Sequence, residues 1–236
     1  MKSWQTKSGL RVLQILSGRS NVFILTNGHK NILIDTSPAN KLKLLENRLK
    51  DNNIDHIDYL ILTHSHFDHA GNAARLKNKF GCKVILHRSE DHNLRTGAIS
   101  QPNGTNTFTR FIVKNLATKF SSRLKTEPCM PDILIDGKYG LRESGFNAYI
   151  LHTPGHSPGS VSIIIDEEIA LVGDTMFGVF KWSVFPPYAE DSDQLVKSWR
   201  SLLETNCQIF LPSHGGSKNR SQLLTEYQKR NGAIPD

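Results

Sequence analysis

Cysteine is scarce in this 236-residue chain: Cys82, Cys129 and Cys207 stand far apart, with no CxxC pair among them. That excludes a disulfide-stapled framework, and makes reduced thiols in a reducing compartment the expectation. Long apolar runs are missing too. The opening MKSWQTKSGLRVLQIL is broken by polar residues before it reaches signal-peptide length, and no stretch approaches the roughly 20 apolar residues of a bilayer span. A cytoplasmic protein with no membrane segment is therefore expected. Acidic residues are the minority charge: 22 Asp and Glu against 29 Lys and Arg give a net charge of +7. Such a surface suits nucleic acid, anionic lipid or a small anionic substrate. With 38% apolar and 22% charged residues, the chain otherwise has ordinary globular composition.

Alternating apolar positions in LRVLQIL, NVFILT and NILID predict three strands, with an Asn-Gly turn between the last two. Leu42, Leu45 and Leu49 recur at helical spacing after Pro38. IDYLILT at 57–63, AGNAARLKNKF and CKVILH then read as strand, helix and strand, a βαβ rhythm. From 91 to 131 the rhythm breaks. No acidic residue falls between His92 and Thr126, whereas Arg95, Arg110, Lys114, Lys119, Arg123 and Lys125 are basic. Phe108, Phe111, Ile112, Leu116, Phe120 and Leu124 recur there at helical spacing, so this segment reads as a basic, helical insert able to act as a lid. Four strand-like runs follow, DILIDG, NAYILHT, SVSIIID and EIALVGD, then a helix near 191–204, a short strand QIFLP and a closing helix near 218–230. No internal repeat of fixed period is present, although strands followed by a helix occur in each half.

The chemistry concentrates at the end of the strand IDYLILT, where HSHFDH places His64, His66, Asp68 and His69 within six positions. Three imidazoles and a carboxylate make a ligand set favoured by zinc and other first-row metals. On a tight turn, side chains at alternate positions converge on one point while their neighbours reach a second. Three later turns each follow an apolar run: HTPGHSPGS presents His156, VGDTMF presents Asp174 and FLPSHGG presents His214. The other histidines, His29, His56, His87, His92 and His152, are expected to be structural or superficial. His87 is the least secure of these, because it ends a strand near the cleft.

HSHFDH, TPGHSPGS, GDTMF and PSHGG, in this order, resemble the motifs of the metallo-β-lactamase superfamily, in particular its dinuclear hydrolases. The resemblance runs from about residue 10 to residue 216 and implies a single domain with a four-layer αββα sandwich, an α/β fold of two mixed sheets flanked by helices. It also implies that His64, His66 and His156 hold one metal, that Asp68, His69 and His214 hold a second, and that Asp174 bridges them. The implied cofactors are two divalent ions, zinc first, with manganese or iron as alternatives. A hydroxide held between two such ions attacks an electrophilic carbon or phosphorus, so hydrolysis of a small ester-like molecule (a lactone, ester, thioester or phosphodiester) is the expected reaction. Asp68 is the candidate to orient the water and carry its proton to the leaving group.

The substrate is less legible. A glutathione-thioester hydrolase of this superfamily is disfavoured here because the chain ends about 20 residues after His214, leaving little room for a C-terminal substrate domain. A nuclease would suit the basic charge, but the phenylalanines of the 91–131 segment fall at core-like spacing rather than as a stacking platform, so nucleic acid is not the expected partner. FKWSVFPPYAED after Asp174 offers Trp182 and Tyr188 as substrate contacts, Tyr188 as an oxyanion donor. Two redox branches of the superfamily compete with hydrolysis. Persulfide dioxygenases hold a single iron with two histidines and an aspartate; flavodiiron proteins replace the second motif histidine by glutamate, and His66 stands against that.

Overall fold

The computed structural model describes residues 2–98, 104–105 and 126–231. The first sheet contains β1 (Ser3–Gln5), β2 (Arg11–Leu16), β3 (Val22–Thr26), β4 (Asn31–Ile34), β5 (Tyr59–Ile61), β6 (Lys83–His87) and β7 (Ile133–Ile135), side by side in chain order. Pairing is antiparallel up to β4 and parallel from β4 to β7. The second sheet has the order β13-β12-β11-β10-β9-β8, built from β8 (Tyr139–Gly140), β9 (Ala148–His152), β10 (Val161–Ile165), β11 (Ile169–Gly173), β12 (Ile209–Pro212) and β13 (Lys218–Asn219). Within it, β11 and β12 run parallel and the other neighbours antiparallel.

The central strands are apolar on both faces because both faces are covered. Phe23, Leu25, Ile32, Ile34, Ile61 and Ile85 of the first sheet meet Ile150, Ile163, Ile165, Ile169 and Leu171 of the second, forming the middle layer. The alternate residues Ile24, Leu33, Leu60, Val84 and Leu86 point outward against α1 (Leu42–Asp51) and α3 (Ala73–Phe80). On the far side Ile164, Ala170 and Val172 meet α5 (Ser192–Leu203) and α6 (Arg220–Asn231) through Leu195, Trp199, Leu202 and Leu223. Two short helices, α2 (Phe67–Ala70) and α4 (Asp91–Thr96), lie in the connections after β5 and β6. Each fully buried Leu or Ile contributes about 1.5–3 kcal/mol, so the period-2 pattern alone commits the strands to three stacked cores.

This is the expected αββα sandwich. The Asn27-Gly28 turn joins β3 to β4, with Asn27 Oδ1 accepting from His29 N at 3.0 Å and Lys30 N at 2.8 Å. Leu45 and Leu49 are the buried residues of α1, as their spacing predicts. The unit β5-α3-β6 is the expected βαβ crossover. Sequence patterning did not reveal β1, β8 or β13, edge strands of two or three residues that are too short to show a period. The helix expected over Phe108 to Leu124, and with it the lid, lies outside the described residues.

Candidate metal centre

Parallel pairing of β4 with β5, and of β11 with β12, brings the carboxyl ends of these strands to a common edge, where ligand-carrying loops of open sheets are found. The loop after β5 is tied to both sheets: Leu62 N donates to Ile85 O at 3.1 Å, and Thr63 O accepts from Val161 N at 2.9 Å. His64 and His66 follow at alternate positions, and the single turn of α2 brings in Asp68 and His69. Ser20 Oγ donates to the Asp68 carbonyl at 2.6 Å, holding this turn under the β2–β3 loop. His156 follows β9, Asp174 follows β11 and His214 follows β12. Two of these loops need glycine. A Cβ on Gly155 would lie 2.3 Å from Leu195 N at the start of α5, and Gly215, at φ +85°, would clash at 2.2 Å with Gly178.

All seven side chains converge, as two neighbouring trios with the Asp174 carboxylate between them. His66 Nδ1 lies 2.9 Å from His64 Nε2 and 3.0 Å from His156 Nε2. In the second trio, His69 Nε2 is 3.9 Å from Asp68 Oδ1, and His214 Nε2 is 3.7 Å from Asp68 Oδ2. Asp174 reaches both: Oδ2 lies 3.5 Å from His156 Nε2 and 3.2 Å from His214 Nε2, and Oδ1 lies 3.5 Å from His69 Nε2. Asp68 and His214 are the members open to solvent, with 13% of each side chain exposed.

Counting protons shows that these groups fit cations better than they fit one another. The Thr63 hydroxyl donates its single proton to Asp35 Oδ2 at 2.9 Å, so at 3.1 Å it accepts from His64 Nδ1. His156 Nδ1 donates to the Tyr188 carbonyl at 2.9 Å. Both rings therefore aim Nε2 lone pairs at His66 Nδ1, which carries at most one proton. At least one close contact opposes two lone pairs, an arrangement that a cation satisfies and a hydrogen bond does not. Towards the second trio, His69 Nε2 and the Oδ1 of the intervening Asp174 are buried without a hydrogen-bond partner among the described residues. Unsatisfied buried polar atoms are costly unless a ligand completes them.

The electrostatics divide the same way. Burial and the surrounding imidazoles hold His64 and His66 well below the ordinary histidine range, and burial depresses His156. Burial also opposes charge on His69, but Asp174, Asp35 and Asp68 outweigh it and raise that ring to about 10. His214 is raised despite its burial by the Asp174 carboxylate. Asp174 is itself held far below the usual carboxylate range: burial opposes this, and His214, His69 and His156 outweigh the burial. The first trio thus presents lone pairs, and the second holds protons that a cation must displace.

A family model described as the metallo-beta-lactamase superfamily matches residues 17–214. The chain belongs to the metallo-beta-lactamase superfamily. A probable metallo-hydrolase of Methanocaldococcus jannaschii is 30% identical over 84% of this chain and 89% of its own length. The hydroxyacylglutathione hydrolase GloC of Haemophilus influenzae is 28% identical over 88% of this chain and 91% of its own. The crystal structure of the B3 metallo-beta-lactamase BLEG-1 superposes with a TM-score of 0.72 at 26% identity, covering 94% of this chain and all of that one. The first of these is named a metallo-hydrolase, the second a hydrolase and the third a metallo-beta-lactamase. Since 91% of the GloC relative is matched, an additional C-terminal domain is not required of a protein bearing that name. The expectation that disfavoured a glutathione-thioester hydrolase on length therefore loses its basis.

Sequence reading of this superfamily member missed two buried carboxylates around the trios. Asp35, at the end of β4, accepts from Thr63 N at 2.8 Å, His69 Nδ1 at 2.9 Å and Ser213 Oγ at 3.1 Å. Glu90 accepts from Ser157 Oγ at 2.7 Å and from Ser65 Oγ. The only signal for Asp35 was an acid ending an apolar run, and Glu90 had none.

The two expected substrate contacts stand differently. Tyr188 touches the centre through its main chain, as the carbonyl acceptor of His156 Nδ1. Trp182 is 75% exposed and lines a cavity with Ser221, Gln222 and Thr225 of α6, none of them among the seven convergent residues. His87, set aside as structural, is buried and stacks on His152 with ring centroids 3.9 Å apart. No helix among the described residues is long and apolar enough to cross a membrane.

Proposed function

We propose that this superfamily member is a dinuclear metal-dependent hydrolase of small ester-like molecules, thioesters among them. The observation that carries this reading is the position of Asp174, whose Oδ2 lies within 3.5 Å of a nitrogen from each trio. On this reading His64, His66 and His156 hold one divalent cation, Asp68, His69 and His214 hold the other, and Asp174 is shared. Zinc suits the imidazole-rich set, with manganese or iron as other occupants. Two such ions supply a water acidified to near-neutral pKa and polarise the substrate's reacting oxygen.

The chain's own contribution is placement and proton transfer. Thr63, Asp35 and the Tyr188 carbonyl fix the tautomers of His64, His69 and His156, so each ring offers a lone pair in a set direction. Asp68, at the solvent-facing side, is the base that takes the water's proton at its carboxylate and delivers it to the leaving group. Three free, buried thiols support a cytoplasmic address.

Metal content per chain, with zinc, iron and manganese counted together on freshly purified protein, is the deciding measurement. About two metals per chain, with turnover in a panel of lactones, thioesters and phosphodiesters, is the expected result. A single iron with oxygen uptake on persulfides overturns the hydrolase reading.

A further inference from the structure

We propose that Glu90 is the positioning residue of the first cation site, clamping from outside the two loops that carry His64, His66 and His156. This rests on the dinuclear reading above. Glu90 lies in the turn Arg88–Glu90 after β6 and is 1% exposed. Its Oε2 accepts from Ser65 N at 3.2 Å and from Ser65 Oγ; its Oε1 accepts from Ser157 Oγ at 2.7 Å and Gly159 N at 3.0 Å. Ser65 sits between His64 and His66, and Ser157 follows His156 directly. One carboxylate therefore joins a loop of the first sheet to a loop of the second at the residues adjoining all three imidazoles.

Two further features show that the position is built for a carboxylate. A Cβ on Gly159 would lie 2.5 Å from Glu90 Cγ, so only glycine leaves room for this side chain. All four donors are uncharged, and no salt bridge reaches Glu90 among the described residues. A buried carboxylate without a cationic partner is unfavourable. A cation between His64, His66 and His156 is the counter-charge that this position offers. The second trio has its own outer carboxylate in Asp35, which bonds His69 directly and Ser213 beside His214. Glu90 thus holds the main chain and serines beside the first trio, whereas Asp35 bonds the second trio directly and reaches the first only through Thr63, which bonds His64 Nδ1.

The test is cobalt(II) titration of metal-stripped full-length protein followed by chelator competition, comparing Glu90→Gln with wild type. Glutamine keeps the size and one acceptor while removing the charge. The expected result is that one cobalt equivalent is surrendered at about 10–100-fold lower chelator concentration, with the other equivalent and the circular dichroism unchanged. Equal retention of both equivalents, or an equal weakening of both, overturns the proposal. Should Glu90→Gln fail to fold, Ser157→Ala removes one donor and is expected to weaken the same single equivalent by a smaller factor; no weakening there is equally fatal. Wild-type protein that binds only one cobalt refutes the dinuclear reading instead, and Glu90 then stands or falls on whether its variant weakens that one.

Discussion

Asp35 Oδ2 lies 2.9 Å from His69 Nδ1, and both side chains are buried to within 1%. The carboxylate fixes which ring nitrogen faces the centre and which is spent on an outer hydrogen bond. Asp35 also sits at φ 62°, a left-handed conformation that asparagine adopts at least as readily as aspartate. Asp35→Asn is therefore expected to keep the backbone while placing an NH2 group among the donors Thr63, His69 and Ser213. Metal affinity is expected to fall about 10–100-fold with the circular dichroism spectrum intact. Chelator competition measures this; unchanged retention would remove Asp35 from the account of the site.

His66 Nδ1 is the point on which two neighbouring imidazoles converge, and Asp174 is the carboxylate shared by both trios. His66→Ala and Asp174→Ala are each expected to reduce turnover to the background of buffer, measured on the best substrate of the panel. Neither residue belongs to the three apolar cores, so both variants are expected to retain native secondary structure. Activity surviving in either one defeats the assigned centre.

The seven convergent residues were legible because histidines at alternate positions after an apolar run are conspicuous, and because each later member ends a strand of its own. The sandwich was legible for a related reason: Ile24 and Leu25, or Ile163 and Ile164, alternate between cores at period 2. Asp35 and Glu90 were hidden because what they bond lies far along the chain. His69 is 34 residues from Asp35, and Ser157 is 67 residues from Glu90. A single acid before a turn carries no local mark of such a partner. Trp182 shows the converse, since an aromatic close in sequence to Asp174 turns outward in the fold toward α6.

Gly215 holds the loop of His214 against Gly178 by an approach that no side chain permits. Its φ of +85° and a Cβ clash at 2.2 Å both oppose substitution, whereas a Cβ on the adjacent Gly216 would meet nothing closer than 4.0 Å. Gly215→Ala is expected to cost at least about 1–3 kcal/mol from backbone strain alone. That corresponds to a melting temperature lower by about 2–4 °C per kcal/mol in a domain of this size. Gly216→Ala is expected to stay within about 0.5 kcal/mol. Calorimetry on the two variants tests the contrast, and equal melting temperatures would show that the close approach does not constrain the loop.

Burial pushes each of the three thiols, Cys82, Cys129 and Cys207, up to about 11. The thiolate is the nucleophile, so native protein at pH 8 is expected to resist iodoacetamide while urea-unfolded protein reacts at all three. The same shift has a thermodynamic consequence. In the unfolded chain these thiols lose their protons near 8.5, in the folded chain only near 11, so between those values the unfolded state binds fewer protons. Their contribution to stability is fully present below the lower value and is lost as pH rises through the upper one. Urea midpoints measured from pH 8 to pH 11 are expected to fall for wild type and to fall less steeply for a Cys82→Ala, Cys129→Ala, Cys207→Ala triple variant, after allowing for its lower starting stability. Parallel slopes in the two proteins would show that the buried thiols do not govern alkaline unfolding.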